Sequence, residues 1–193
     1  MKTAIVPIDY INEICHPKGK LSAKGYPVFL ENHGILKRVN EALRLARDRG
    51  FPVLWCRVSF SAEYGELPLG SPLFGKAQEF GALKTGTWAT EFHEALDVKE
   101  GESIIEKRRV SPFFGTDLEV QLRARGIERF LLAGVATDLA VESAARDAHD
   151  RDFAVTVLRD CCGAATIEDH EGALASLAKI SNVTNLEGAF GEA

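Results

Sequence analysis

Apolar residues in this chain fall into two alternating kinds of run. Short unbroken runs at residues 3–8, 53–58, 130–135 and 153–158 read as strands buried on both faces. Residues 104–107 read as another strand, and 182–186 as a short last one. Between them the spacing changes. Ile35, Leu36, Val39, Leu43 and Ala46 share one face of a helix predicted from an Asn32 cap to Arg49, which Gly50 and Pro52 end. Further helices are predicted from a Thr116 cap to Arg125, from Thr137 to Arg151 and from Ile167 to Ile180. Apolar strands alternating with helices predict an α/β chain whose parallel sheet is covered on both faces, with right-handed crossovers.

One stretch breaks the rhythm. Residues 59–102 carry Gly65, Pro68, Gly70, Pro72, Gly75, Gly81 and Gly86 with aromatics between them. A loop this long predicts a lid or an interaction segment.

Composition narrows the function classes. A length of 193 residues fits one compact domain spanning 1–193. The net charge of −5 argues against nucleic acid as the main partner, because phosphate binding needs a basic face. No apolar run approaches a membrane span, and the chain opens on a strand pattern rather than on a leader. Cys15, Cys56, Cys161 and Cys162 lack metal-ligand spacing and read as reduced thiols of a cytoplasmic protein. No Gly-rich dinucleotide fingerprint and no P-loop are present, so no cofactor is expected.

In an open parallel sheet, ligands bind beyond the carboxyl ends of the strands. That rule selects Asp9 after the first strand, Lys107 at the end of the third, the turn from Val135 to Ala140 after the fourth, and Cys161 and Cys162 after the fifth. Each has a plainer reading: Asp9 as a turn residue, Lys107 as a surface charge, the cysteines as small core residues. The run Gly134-Val135-Ala136-Thr137-Asp138-Leu139-Ala140 passes from a strand directly into a helix, whose first free N–H groups suit an anion or a nucleophile. Thr137 reads as the cap of that helix, and Ser143 lies about one turn inside it.

These segments together resemble the isochorismatase-like hydrolase superfamily, the cysteine hydrolases. The matching runs are Val6-Pro7-Ile8-Asp9, then Lys107-Arg108-Arg109-Val110-Ser111-Pro112-Phe113-Phe114-Gly115-Thr116-Asp117-Leu118, then residues 134–148, and more weakly Asp160-Cys161-Cys162-Gly163-Ala164-Ala165 with His170. They cover nearly the whole chain in order. The resemblance implies a three-layer α-β-α, Rossmann-like fold with a six-stranded, mostly parallel sheet, and a homo-oligomer, dimer or tetramer. It implies an Asp-Lys-Cys triad, with Asp9 and Lys107 in the first two places and Ala140 in the place of the cysteine. It also implies a cis peptide at Val135-Ala136 that aims N–H groups, among them those of Ala136 and Ala140, at an oxyanion.

Ala140 can be neither nucleophile nor acid, and three readings follow. The chain is a hydrolase of a small metabolite in which Asp9 is the acid, Lys107 holds the substrate, and no covalent intermediate forms. Or Ala140 replaces the catalytic cysteine of an amidase. Or the chain is a binding relative without catalysis. Trp88, in a segment resembling one that lines the family's pocket, is a candidate to stack on a planar substrate, or else packs the loop. Arg57 is a candidate to bind a carboxylate, or else forms a surface ion pair. Tyr64 is a candidate for a lid or a subunit contact. The nicotinamidase branch carries a metal on Asp and His residues. His16 and His33 lack that spacing, so no catalytic metal is expected.

Overall fold

The structure, a computed structural model, describes residues 1–191. In chain order the elements are β1 (Thr3–Ile8), α1 (Asn12–Cys15), α2 (Tyr26–Asn32), α3 (Ile35–Asp48), β2 (Leu54–Val58), α4 (Ala77–Phe80), β3 (Ser103–Lys107), α5 (Leu118–Ala124), β4 (Arg129–Val135), α6 (Glu142–His149), β5 (Ala154–Gly163), α7 (Ile167–Leu177), β6 (Asn182–Thr184) and α8 (Leu186–Phe190). A π-helical turn, Thr137–Val141, joins β4 to α6.

All six strands pair in parallel, in the order β3-β2-β1-β4-β5-β6. The expected α/β sheet with helices on both faces is therefore present, and it is parallel throughout. The chain winds outward from β1 in one direction through β2 and β3, and from β4 in the other through β5 and β6. The direction of winding changes between β1 and β4, where an open sheet leaves a crevice at its carboxyl edge.

Side chains alternate across the strands. Ile5, Trp55, Leu131 and Ala133 face one core, against α3 residues Val39, Leu43 and Ala46. Ala4, Val6, Ile8, Leu54 and Leu132 face the other, against Leu118 and Leu122 of α5 and Ala144 and Ala148 of α6. Every residue of β1 is buried, which explains its unbroken apolar run.

Three local expectations differ. The helix expected from an Asn32 cap to Arg49 is α3 alone, beginning at Ile35 after Gly34, whose left-handed φ of 62° separates it from a preceding helix, α2. Asn32 ends the first helix instead of capping the second. The fifth strand runs on through Gly163, so Cys161 and Cys162 lie within it and are buried, not beyond its end. The register of β5 against β4 shifts between Leu132 and Gly134, an irregularity that accommodates the extra residues.

Candidate active site

The carboxyl edge of β1 carries Asp9. Its φ of 59° lies in the left-handed region, which Asp tolerates better than branched residues do. Its N–H donates to the Cys56 carbonyl at 2.9 Å, holding the chain against β2. The carboxylate also reaches toward β2, and Oδ1 accepts the Val58 N–H at 2.7 Å.

Lys107 arrives from the end of β3, paired in register with Val58. Its Nζ lies 2.7 Å from Asp9 Oδ2, and it also donates to the Arg109 carbonyl at 3.2 Å. Both residues are buried, Asp9 at 3% and Lys107 at 1% exposure. Burial pushes the Asp9 carboxyl above its ordinary value, against the opposing pull of the Lys107 ammonium and the Val58 N–H.

The third component comes from β4. Its Val135–Ala136 peptide is cis, and the π-helical turn that follows carries Ala140. Gly134 allows this turn to approach β1 closely. A Cβ there would lie 2.9 Å from Val141 Cγ2 and 3.0 Å from the Ile8 carbonyl oxygen. Thr137 is fully buried, and its Oγ1 is 2.8 Å from His170 Nδ1, which ties the turn to α7. Thr137 makes no side-chain cap; this bond takes up its hydroxyl.

Asp9, Lys107, Val135, Ala136 and Ala140 line one cavity of about 60 Å3. Its roof is apolar, formed by Leu73, Phe74 and Leu83 of the long loop and by Ile14 and Leu21. Glu13, 1% exposed, ties the two roof segments together. Its carboxylate accepts the Lys20 N–H and the Leu83 N–H, each at 3.1 Å. The arrangement can hold a small molecule against a buried carboxyl, an ammonium and a helical turn.

The isochorismatase domain model matches residues 3–187. The chain belongs to the isochorismatase family. It is 34% identical over 192 residues to the uncharacterized isochorismatase family protein YecD of Escherichia coli O157:H7, covering 96% of this chain and 93% of that one. It is 32% identical over 209 residues to the ureidoacrylate amidohydrolase RutB of Methylobacterium radiotolerans, covering 98% of this chain and 80% of that one. Among solved structures, an isochorismatase-like hydrolase from Alkaliphilus metalliredigens superposes with a TM-score of 0.80 at 27% identity, covering 98% of each chain. This chain is thus an isochorismatase-family hydrolase by descent and fold.

Other residues singled out in the sequence lie elsewhere in this isochorismatase fold. Trp88 is 43% exposed and sits edge-on to His16 at 5.1 Å, outside the cavity lining. Arg57 is held by Glu106 at 2.7 Å and by the Thr90 carbonyl at 3.2 Å, with its guanidinium over Phe92. Tyr64 is buried, and its hydroxyl donates to the Ala82 carbonyl at 2.8 Å, anchoring the long loop from within. The structure therefore brings Asp9, Lys107, Val135, Ala136 and Ala140 together and leaves Trp88, Arg57 and Tyr64 outside. Cys161 and Cys162 are buried too, and burial raises both thiols, Cys162 to about 12, which removes their value as nucleophiles. His16 lies beside His93 and Glu94, and His33 stacks near Phe29. Among the described residues no group of three or more His, Cys, Asp or Glu side chains is placed to hold a metal ion.

Sequence reasoning missed Glu13, Lys24, Tyr26 and Phe74. Glu13 carried a signal, a carboxylate between the apolar Ile11 and Ile14 only four residues after Asp9. The others lie in segments whose positions only the folded roof defines.

Proposed function

We propose that residues 1–193 act as one hydrolase domain on a small metabolite, with Asp9 as the acid–base group and no covalent cysteine adduct. The observation that carries this reading is the buried Asp9–Lys107 pair facing Ala140 across one cavity. A carboxyl raised by burial holds a proton at higher pH than an exposed one does, as a general acid requires. Water adds to the reacting carbon while its bond to the leaving oxygen or nitrogen breaks. Asp9 gives its proton to the leaving atom, and the proton shed by the added water returns to Asp9. Lys107 stabilises the carboxylate formed in between. The N–H groups of the 135–140 turn, among them those of Ala136 and Ala140, serve as the oxyanion-binding wall.

A second reading rests on the 32% identity to a ureidoacrylate amidohydrolase. In it the chain is an amidase whose nucleophile seat is filled by Ala140, and its substrate class is a small amide or ureide. On either reading the protein is a cytoplasmic homo-oligomer acting on a small molecule, without nucleic acid, membrane or cofactor. Four buried free thiols support a reducing compartment.

Ala140→Cys separates the two. Under the second reading it gains thiol-dependent hydrolysis of small amides, abolished by iodoacetamide. Under the first, the parent chain itself turns over a substrate, and Asp9→Asn abolishes that turnover. An Asp9→Asn variant with unchanged activity overturns the proposal.

A further inference from the structure

Thr137 and His170 are buried polar side chains to which the proposed reaction gives no part. Thr137 lies in the π-helical turn, between Ala136 and Ala140. His170 lies on α7, which packs against that turn. Oγ1 and Nδ1 are 2.8 Å apart, and among the described residues neither side chain has another hydrogen-bond partner. Thr137 is fully buried and His170 is 6% exposed, so the hydroxyl is closed to bulk water.

That isolation assigns the roles in the bond. The Thr137 hydroxyl needs an acceptor, and Nδ1 is the one within reach. Nδ1 is therefore bare, and the neutral ring carries its proton on Nε2. A second proton can enter only at Nδ1. It turns the bond around: Nδ1 donates, the Thr137 oxygen accepts, and the hydroxyl proton is left without a partner in a closed site.

The groups around the ring leave it neutral until the solution is acidic. His33, Arg159, Asp160 and Glu171 line one recess with His170, and Asp138 and Asp169 adjoin Thr137 and His170 along the chain. Arg159 and Glu171 pair at 2.7 Å, and Asp160 lies 3.8 Å from Arg38. Phe29 packs on the ring, with centroids 5.3 Å apart. Burial holds the imidazole below its ordinary value, with Glu171 opposing and Arg159 and His33 adding to the effect. Within the turn, the Ala136 carbonyl accepts the Leu139 and Val141 N–H groups at 3.2 Å each, the long end of the ordinary range. The bond to His170 fastens the turn to α7 between the two residues whose N–H groups form the proposed oxyanion wall. Such donors work only when held to within about 0.5 Å.

We propose that His170 is a positioning residue for the oxyanion-binding turn: its neutral ring holds Ala136 and Ala140 in place through the Thr137 hydroxyl, and a proton on Nδ1 releases them. This rests on the hydrolase reading for the catalytic use of the turn. The coupling between ring and turn does not depend on it.

NMR spectra of the nitrogen-15-labelled full chain, titrated from about pH 8 to the onset of acid unfolding, test the coupling. The neutral ring is expected to show its proton on Nε2. The Ala136, Thr137 and Ala140 amides are expected to shift at the ring's own midpoint, below the ordinary 6.5. His170→Asn places a non-titrating carbonyl oxygen where Nδ1 lies. It is expected to remove that step and keep the amides at their parent high-pH positions, while steps belonging to Asp9 or Asp138 persist. Thr137→Val, which keeps the shape and loses the hydroxyl, is expected to uncouple the amides from a ring that still titrates. Should His170→Asn fail to fold, Thr137→Val alone decides. A neutral ring protonated on Nδ1, amides that hold still at the ring's midpoint or throughout, or a step at that midpoint that survives either substitution each overturns the proposal.

Turnover separates this inference from the hydrolase reading. Where the parent or Ala140→Cys shows Asp9-dependent turnover, kcat is expected to fall about tenfold below the ring's midpoint. His170→Asn in the same background is expected to remove that acid limb. A limb equal in both overturns only the present inference. Amides that follow the ring in a chain without Asp9-dependent turnover overturn only the hydrolase reading.

Discussion

The cavity floor and the long loop each contain a carboxylate paired with a cation, and although burial raises both, their net shifts are opposite. On the floor, Asp9 meets Lys107 at 2.7 Å with both side chains buried. In the roof loop, Glu66 meets Arg108 at 2.8 Å with about 30% of each side chain exposed, and also accepts the Ser61 N–H and hydroxyl, each at 2.6 Å. For Asp9, desolvation outweighs the partner and the pKa rises. For Glu66, a smaller burial penalty is outweighed by the Ser61 hydrogen bonds and Arg108, and the pKa falls to about 2. The same pairing therefore yields a proton carrier in one place and a loop clasp in the other.

The largest expected break in this comparison is Asp9→Asn. If Asp9 moves the proton, turnover falls by about 10²–10⁴-fold, whereas Glu66→Gln changes it by less than about threefold. Steady-state assays on the same substrate panel measure both. Lys107→Met comes next. It leaves a buried carboxylate without its cation and is expected to cost about 3 kcal/mol of folding stability, read by urea unfolding at neutral pH. Loss of activity with unchanged stability would show that the pair carries no structural weight.

The pH dependence sharpens the contrast. A raised Asp9 pKa means that the folded chain keeps a proton that the unfolded chain sheds near its ordinary value of 3.8. The associated stability is full below that value and is lost as pH rises through the folded pKa. For Glu66 the sign reverses. Its contribution is present above the ordinary 4.5 and is lost as pH falls toward about 2. Urea midpoints of Asp9→Asn relative to the parent should therefore improve as pH rises from acid toward neutral. Those of Glu66→Gln relative to the parent should improve as pH falls below 4.5, by a smaller amount. Slopes of the same sign would dissolve the distinction.

The smallest effects belong to residues outside the cavity. Trp88→Ala is expected to leave kcat/KM within about twofold, because the indole packs on His16 and does not line the site. Tyr64→Phe removes the bond to the Ala82 carbonyl and is expected to cost about 1 kcal/mol of stability with little change in substrate affinity.

Strand positions were legible because β1, β4 and the start of β5 are buried on both faces, which leaves an unbroken apolar record. That Asp9, Lys107 and the 135–140 turn come together was legible because all three follow carboxyl ends of strands in a parallel sheet. The limits of α2 and α3 were not, since Asn32 and Gly34 are equally compatible with a cap and with a break until Gly34 takes its positive φ. Thr137 read as a cap because its partner, His170, is 33 residues away.

The amino-acid sequence by itself determined the sheet and its parallel sense, because burial patterns are local properties of the chain. Tertiary structure alone decided that Asp9 and Lys107 touch, that Trp88, Arg57 and Tyr64 stand outside, and that Lys24 and Tyr26 line the same cavity. Those outcomes depend on which surfaces the roof segments cover once Glu13 ties them down, and no spacing along the chain records that contact.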